Sequence, residues 1–82
     1  FLVKAPFIQE EQDKEIHLSH HEGQEFDYIL SGTLRFSHEG REVDVGPGDT
    51  LYYDSGKGHG MIATSPEGCV FLAIVLKKEG SD

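Results

Sequence analysis

The stretch from His17 to Gly32, "HLSHHEGQEFDYILSG", carries the strongest structural signal in the chain, because it joins a group of histidines to an alternating strand. Alternation places Glu25, Asp27 and Ile29 on one face of that strand. The opposite face then carries Phe26, Tyr28 and Leu30. If Glu25 points into an interior, this second face packs outward, against another sheet or subunit.

The histidines before this strand lie on a segment that also alternates, "IHLSH". If the segment continues as a strand to His21, then His17, Ser19 and His21 share one face, and His20 points to the other. A glycine turn follows, after which Glu25 can return its carboxylate toward the same interior. We therefore expect a strand here and a shared pocket for His21 and Glu25.

Short strands separated by turns account for the rest of the chain. Ten glycines and three prolines divide segments rich in β-branched and aromatic residues, and no window keeps a helical apolar spacing over three turns. The pair Glu39-Gly40 is typical of a tight hairpin turn with positive φ. The opening segment "FLVKAPF" contains Pro6, which restricts it to a sheet edge or a bulge. We predict an all-β fold of about eight short antiparallel strands in a sandwich or barrel.

Length, charge and cysteine content limit the possible functions. The 82 residues suffice for one domain, which we assign to residues 1–76, with 77–82 as a frayed tail. Seven Lys and Arg against fifteen Asp and Glu give a net charge of −8, which disfavours direct binding to nucleic acid or anionic membranes. The single cysteine, Cys69, lies in an apolar run. Within the 82 residues we see no basic segment followed by an apolar one and no run long enough to span a membrane, so we expect a cytoplasmic location.

A candidate metal site is formed by His21, Glu25 and His59. Two imidazoles and one carboxylate can bind a divalent metal such as iron, manganese, zinc or nickel and leave positions open for water or ligand. Alternatively, the three side chains form a hydrogen-bonded polar lining that holds an organic ligand without metal. His59 follows the loop "SGKG", so we expect it at a loop edge with little core packing, and His20 and His38 are predicted to face solvent.

The order of these residues resembles the first motif of the cupin family. In that motif a glutamate is followed by six residues and a glycine, as Glu25, "FDYILS" and Gly32 are here. The metal histidine four residues before the glutamate falls on His21, and the one two positions earlier falls on Ser19. Serine is a poor ligand for a divalent ion, so the resemblance implies an open or weakened position, for which His17 is a possible substitute.

The second cupin motif is also present. Gly48, "DTLYY", Asp54, Gly56 and His59 follow its spacing, with Asp54 in place of the usual proline. The asparagine that commonly closes the motif falls on Ala63. The resemblance covers about Ser19 to Ile74 and implies a double-stranded β-helix, the cupin or jelly-roll barrel.

Within the cupins, the phrases "SHHEGQEFDYILSG" and "GDTLYYDSGKGHG" are similar to the carboxy-terminal domains of bacterial helix-turn-helix regulators of the XRE type. This resemblance implies a sensor domain whose ligand changes how an attached helix-turn-helix domain meets DNA. The DNA-binding domain is absent from these 82 residues, so we expect a fragment of a longer regulator. The alternative is a small metal-dependent enzyme of the dioxygenase or isomerase type, which we weigh below the sensor because a third histidine and a nucleophile are missing.

The sensor interpretation requires a pocket for a small-molecule effector. The candidate ligand-binding residues are Ser19, His17, Phe36, Tyr53 and Met61, with Tyr28 and Tyr52 as further apolar contacts. We also expect a homodimer, with the edge segment "FLVKAPF" as one candidate for pairing.

Overall fold

The fold is built almost entirely from strands. The computed structural model describes residues 1–76, in which a short 3-10 helix, Gln9–Glu11, accompanies seven strands. The strands are β1 (Leu2–Ala5), β2 (Gln24–Ser31), β3 (Leu34–His38), β4 (Arg41–Val45), β5 (Thr50–Asp54), β6 (His59–Ala63) and β7 (Cys69–Leu76). The predicted tail, 77–82, lies outside the described residues. Within residues 1–76, no helix has the length and apolar character needed to span a bilayer.

Two antiparallel sheets enclose the core. One has the order β1-β7-β2-β5 and the other β4-β3-β6. The first sheet contributes Ile29, Leu51 and Phe71 to the buried cluster, and the second contributes Leu34 and Phe36. This arrangement confirms the predicted all-β class and is consistent with a double-stranded β-helix.

The alternation of β2 is the clearest agreement between sequence and structure. Glu25, Asp27 and Ile29 are buried between the sheets, and Tyr28 is 40% exposed on the opposite face. β2 can hold this register because it pairs on both sides, with β5 and with β7. Its carboxylates therefore project into the barrel, where they can contribute to a site.

Two other local predictions are confirmed. Glu39 and Gly40 have φ values of 52° and 79°, so both residues of the β3–β4 hairpin turn adopt the left-handed region expected for this pair. β1 ends immediately before Pro6 and forms one edge of the four-stranded sheet.

The segment "IHLSH" is not a strand, so the described residues contain seven strands instead of about eight. It pairs only at Ser19, through an isolated bridge to His59. A Cβ added to Gly60 would collide with the His17 carbonyl oxygen, which shows how closely the segment crosses β6 at that point. Alternation alone therefore overstated the extent of hydrogen-bonded pairing here.

Candidate metal centre

His21, Glu25 and His59 come together at one end of the barrel. Their candidate ligand atoms all lie within 4.8 Å of one another. Glu25 points inward from β2, His59 begins β6, and His21 lies in the loop that precedes β2. The fold thus brings His59 to His21 and Glu25, which lie four residues apart in the sequence.

Backbone groups of Ser19 and Lys57 hold the main chain and the ring of His59. The Ser19 N–H donates to the His59 carbonyl oxygen at 2.8 Å, and the His59 N–H donates to the Ser19 carbonyl oxygen at 2.9 Å. The His59 ring places Nδ1 2.9 Å from the carbonyl oxygen of Lys57, which can only accept a hydrogen bond. The proton is therefore assigned to Nδ1, and the Nε2 lone pair is left for a metal or ligand.

His21 is more open to solvent. Its backbone N–H donates to the Ser55 carbonyl oxygen at 2.8 Å, and its Nε2 lies 3.7 Å from Glu25 Oε1. The two imidazoles meet edge to face, with ring centroids 5.2 Å apart. The His21 side chain is 43% exposed whereas that of Glu25 is 12% exposed, so the cluster lies at the barrel mouth.

The donor set fits a divalent metal. Two imidazole nitrogens and a carboxylate suit iron, manganese, zinc or nickel, and they occupy only part of the coordination sphere of such an ion. Ser19, at the position of the missing third histidine, is exposed, and its backbone pairs with His59.

An aromatic wall continues inward from the metal-binding candidates. The Tyr53 ring lies 4.9 Å from His59 and 4.6 Å from Phe36, measured between centroids. Phe36 pairs with Met61 across β3 and β6, and Met61 is half-buried against the core. Three of the predicted ligand contacts are therefore on the side of the barrel that holds the cluster.

The other predicted contacts lie elsewhere. His17 lines an external groove of about 590 Å³ together with Glu15, Ser37 and Glu42. It is outside the group of ligand atoms formed by His21, Glu25 and His59. Tyr28 and Tyr52 are 40% and 63% exposed on the outward face of their sheet, so they do not line the pocket. For Tyr28 this is the outward position expected if Glu25 points into the interior.

Two sequence expectations about histidines also need correction. His59 is 5% exposed, so it is a buried residue and not a loop-edge one. His38 is half-buried and stacks on Phe36 with a centroid distance of 5.9 Å, although it was predicted to face solvent. Its register partner is His59, a pairing between β3 and β6 that the local sequence does not reveal.

Asp27 is the site residue to which the sequence assigned no role. It is fully buried, and within the described residues its Oδ1 has no hydrogen-bond partner. The Tyr53 hydroxyl donates to Asp27 Oδ2 at 3.5 Å. Burial, followed by the neighbouring Glu25 carboxylate, raises the Asp27 pKa to about 8. The Tyr53 pKa is also raised, first by burial and then by the charge of Asp27.

This environment predicts a pH-dependent stability. The unfolded chain ionises Asp27 near pH 3.8, whereas the folded protein keeps it protonated up to about pH 8. The unfolded state thus binds fewer protons across this window, and the free energy of unfolding falls as pH rises from about 4 to about 8. Asp27→Asn should remove that decline. Above pH 8 its free energy of unfolding should exceed that of the wild type by on the order of several kcal/mol.

Urea unfolding from pH 4 to pH 9, in chelator to keep metal out, measures this effect. Asp13→Asn is the matched control, since Asp13 is exposed. Parallel pH profiles for the wild type and Asp27→Asn would contradict the assignment of a protonated Asp27.

Comparison with known proteins agrees with this geometry. The cupin domain family matches residues 7–75. The chain belongs to the cupin family. That match includes all three members of the cluster, the whole of β2 to β6, and β7 except for Leu76.

Individual cupins give a more detailed comparison. The chain is 36% identical over 62 residues to a Thermotoga maritima protein named "Oxalate-binding protein", covering 74% of this chain and 51% of that protein. A crystal structure of a predicted oxalate decarboxylase from Thermotoga maritima matches with a TM-score of 0.74 and 30% identity, covering 94% of this chain and 64% of the other. The chain thus spans about half the length of the curated relative.

A helix-turn-helix regulator also has this fold. The HTH_3 family transcriptional regulator from Vibrio cholerae matches with a TM-score of 0.67 and 21% identity, covering 82% of this chain and 39% of the other. At this identity the match establishes similarity of fold.

Proposed function

We propose that this cupin is a small-molecule-binding domain in which His21, Glu25 and His59 hold a divalent metal and the ligand occupies the remaining coordination positions. The observation that supports this proposal most strongly is the assembly of the three ligand atoms within 4.8 Å at the barrel mouth. When bound, the metal supplies a positive charge and open positions for ligand oxygen atoms. Tyr53 and Phe36 provide the apolar wall against which a small ligand packs.

The ligand class we favour is a small organic acid such as oxalate. The relative from Thermotoga maritima is named an oxalate-binding protein, and carboxylate oxygens are good ligands for divalent metals. The barrel interior of this chain carries the Glu25 carboxylate, beside the Asp27 carboxyl group that stays protonated up to about pH 8. An anion entering such an interior needs the charge of the metal to offset repulsion, so binding is expected to depend on metal.

The biological role we propose is effector sensing within a bacterial transcriptional regulator. This finer proposal is supported by the resemblance of "SHHEGQEFDYILSG" to regulator domains. A net charge of −8 disfavours binding of this domain to the phosphate backbone of DNA, so DNA contact would come from a separate helix-turn-helix domain. Ligand binding would change regulation only if it favoured one arrangement of the attached domains over another.

A metal-dependent enzyme is the second candidate. The observation that favours it is the buried Asp27 carboxyl group two residues from Glu25, where it can hold a proton close to the bound ligand. The structural match to a predicted oxalate decarboxylase is compatible with this alternative. Turnover of the ligand distinguishes an enzyme from a sensor.

Titration calorimetry with oxalate tests the proposal. We expect oxalate to bind protein loaded with manganese, iron, zinc or nickel, and to lose at least about a hundredfold in affinity after chelation. Tyr52→Phe is a suitable control variant and should bind oxalate as the wild type does, because Tyr52 lies on the outward face of its sheet. Equal binding with and without metal would contradict the metal-dependent site and favour the metal-free polar lining. Consumption of oxalate over hours would favour the enzyme.

A further inference from the structure

An external groove of about 590 Å³ lies on the outward side of the three-stranded sheet. Its walls come from two parts of the chain. One is a segment that we call the strap, residues 15–18, and the other is the β3–β4 hairpin, which contributes Ser37, Gly40 and Glu42. The volume is within the range of pockets that bind small molecules. The groove is therefore large enough to hold a ligand of its own.

The floor of the groove is a row of residues that crosses the sheet. Ser37 pairs with Glu42 on β4 and with Gly60 on β6. The preceding residue, Phe36, belongs to the buried core, so alternation directs the Ser37 side chain to the outward side. The strap crosses the row at Gly60, where an added Cβ would meet the His17 carbonyl oxygen. The Ser37 side chain thus faces the space between the strap and β4.

The strap is held firmly enough for the groove to exist before a ligand arrives. The residue that follows it, Ser19, exchanges two backbone hydrogen bonds with His59, of 2.8 and 2.9 Å. Leu18 packs on the loop before β6, with its Cδ1 atom 3.6 Å from the Cβ position of Gly58. A ligand that enters a preformed groove does not have to order the chain around it, which favours binding.

Ser37 is the polar side chain that marks the groove as a binding site. The residue is only 8% exposed, and none of the side-chain hydrogen bonds within residues 1–76 involves its hydroxyl. A buried hydroxyl without a partner costs free energy, because it has lost its hydrogen bonds to water. A ligand in the groove can restore one of these bonds, since a serine hydroxyl both donates and accepts.

The charges around the groove select a cation. Glu15 and Glu42 line it, and neither belongs to the ion pairs formed within residues 1–76. The lining contributed by that part of the chain contains no lysine or arginine. Arg35, on the same side of β3 as Ser37, is already paired with Asp44 at 3.2 Å. An anion would meet uncompensated negative charge here, whereas a cation would be attracted.

The spacing of the acidic residues favours an organic cation over a metal ion. Within residues 1–76, three candidate ligand atoms come close enough to surround an ion only at the barrel mouth. Glu15, His17 and Glu42 therefore lie too far apart to bind one ion together. Ile16 and Leu18 add apolar surface to the same groove, which a bare ion cannot use but a hydrocarbon stem can.

We propose that the groove is a second ligand site, which takes a small organic cation with an ammonium or guanidinium group on a short apolar stem. The N–H groups of the cation donate to Ser37 Oγ and to the carboxylates of Glu15 and Glu42, and the stem packs on Ile16 and Leu18. This site needs no metal, so it does not depend on the function proposed for the barrel mouth.

An NMR titration of ¹⁵N-labelled protein, in chelator to keep metal out, tests the site. The probes are phenethylammonium and 3-phenylpropionate, which share an aromatic stem and carry opposite charges. We expect saturable binding of phenethylammonium, with the largest shifts at the backbone amides of Leu18, Ser37, Gly40 and Glu42. Binding of 3-phenylpropionate should be at least about tenfold weaker, because its charge is repelled.

Substitutions distinguish the groove from a general attraction of cations to an acidic protein. Glu42→Gln and Ser37→Ala should each weaken binding of phenethylammonium about threefold or more, since each removes one contact to the cation. Glu67→Gln is the matched control, because it removes the same charge from an exposed residue in the β6–β7 turn, outside the groove. This control should bind phenethylammonium as the wild type does.

The outcomes are clear for each probe and variant. Selective binding of phenethylammonium that shifts the groove amides and is weakened by Glu42→Gln, but not by Glu67→Gln, would support the proposal. Equal affinity for the two probes, or equal losses in the two glutamine variants, would overturn it. Shifts centred on Glu25 and His59, or no saturable shift at all, would also overturn it. The spectrum of each variant without ligand shows whether its fold is retained.

Discussion

Gly32→Ala is expected to destabilise the fold by at least about 4 kcal/mol, which is beyond the range of most single substitutions. Gly32 has a φ of 77°, a left-handed conformation in which any Cβ is strained. A Cβ at this position would also overlap the backbone carbonyl oxygen of Gly68 and lie 2.8 Å from Ser65 Oγ. Since the main obstacle is backbone, rotation of a side chain cannot relieve it. The glycine that closes the first cupin motif is thus required by close packing between the β2–β3 turn and the β6–β7 turn.

Gly40→Ala separates the cost of the left-handed conformation from the cost of the contact with Gly68. Gly40 has a φ of 79°, almost the same as that of Gly32, but nothing lies within 4 Å of its added Cβ. This variant should therefore be destabilised only by the left-handed strain, which lowers the free energy of unfolding by about 1–2 kcal/mol. Urea or thermal unfolding of the two variants measures the difference. Equal destabilisation would show that the contact with Gly68 contributes nothing beyond the φ requirement.

His21→Ala is expected to reduce metal affinity by more than about a hundredfold, because it removes one of the three candidate ligands that lie together within residues 1–76. The side chain is 43% exposed, so the loss of packing should be small and the variant should remain folded. His20→Ala is the matched control, since His20 is the neighbouring exposed histidine and lies outside the cluster. Competition of each variant with a chromogenic chelator measures the affinity. Equal metal affinity for the two variants would exclude His21 as a ligand.

His59 is a less suitable position for that test. Its ring is buried and contacts both His21 and Tyr53. Truncation to alanine would leave a cavity and cost about 1–3 kcal/mol in addition to any effect on metal. Glu25→Gln is preferable as a second variant because it keeps the side-chain volume and removes only the charge.

The fold was largely predictable because one strong local pattern agreed with the long-range pairing. β2 alternates in sequence, and its inward set is buried in the structure between the two sheets, while pairing with β5 and β7 fixes its register. The Glu39-Gly40 turn was predictable for a similar reason, since its backbone requirement is local. "IHLSH" shows the limit of this approach, because it has the same alternation but pairs only at Ser19.

The candidate site was predictable only where motif spacing carried long-range information. The two cupin motifs related His59 to His21 and Glu25, although His59 lies far along the chain. No such spacing marked His38, which reaches the barrel mouth through the pairing of β3 with β6. Asp27 was assigned to the correct face, but its raised pKa depends on burial beside Glu25, which only the packed barrel creates.

The central claim is that the cluster of His21, Glu25 and His59 binds a metal. Elemental mass spectrometry of protein purified without an affinity tag, with the melting temperature recorded before and after chelation, tests it most directly. We predict close to one divalent ion per chain and a lower melting temperature once that ion is removed. Protein that contains no metal after incubation with manganese, iron, zinc or nickel, and whose melting temperature is unchanged by chelator, would contradict the claim.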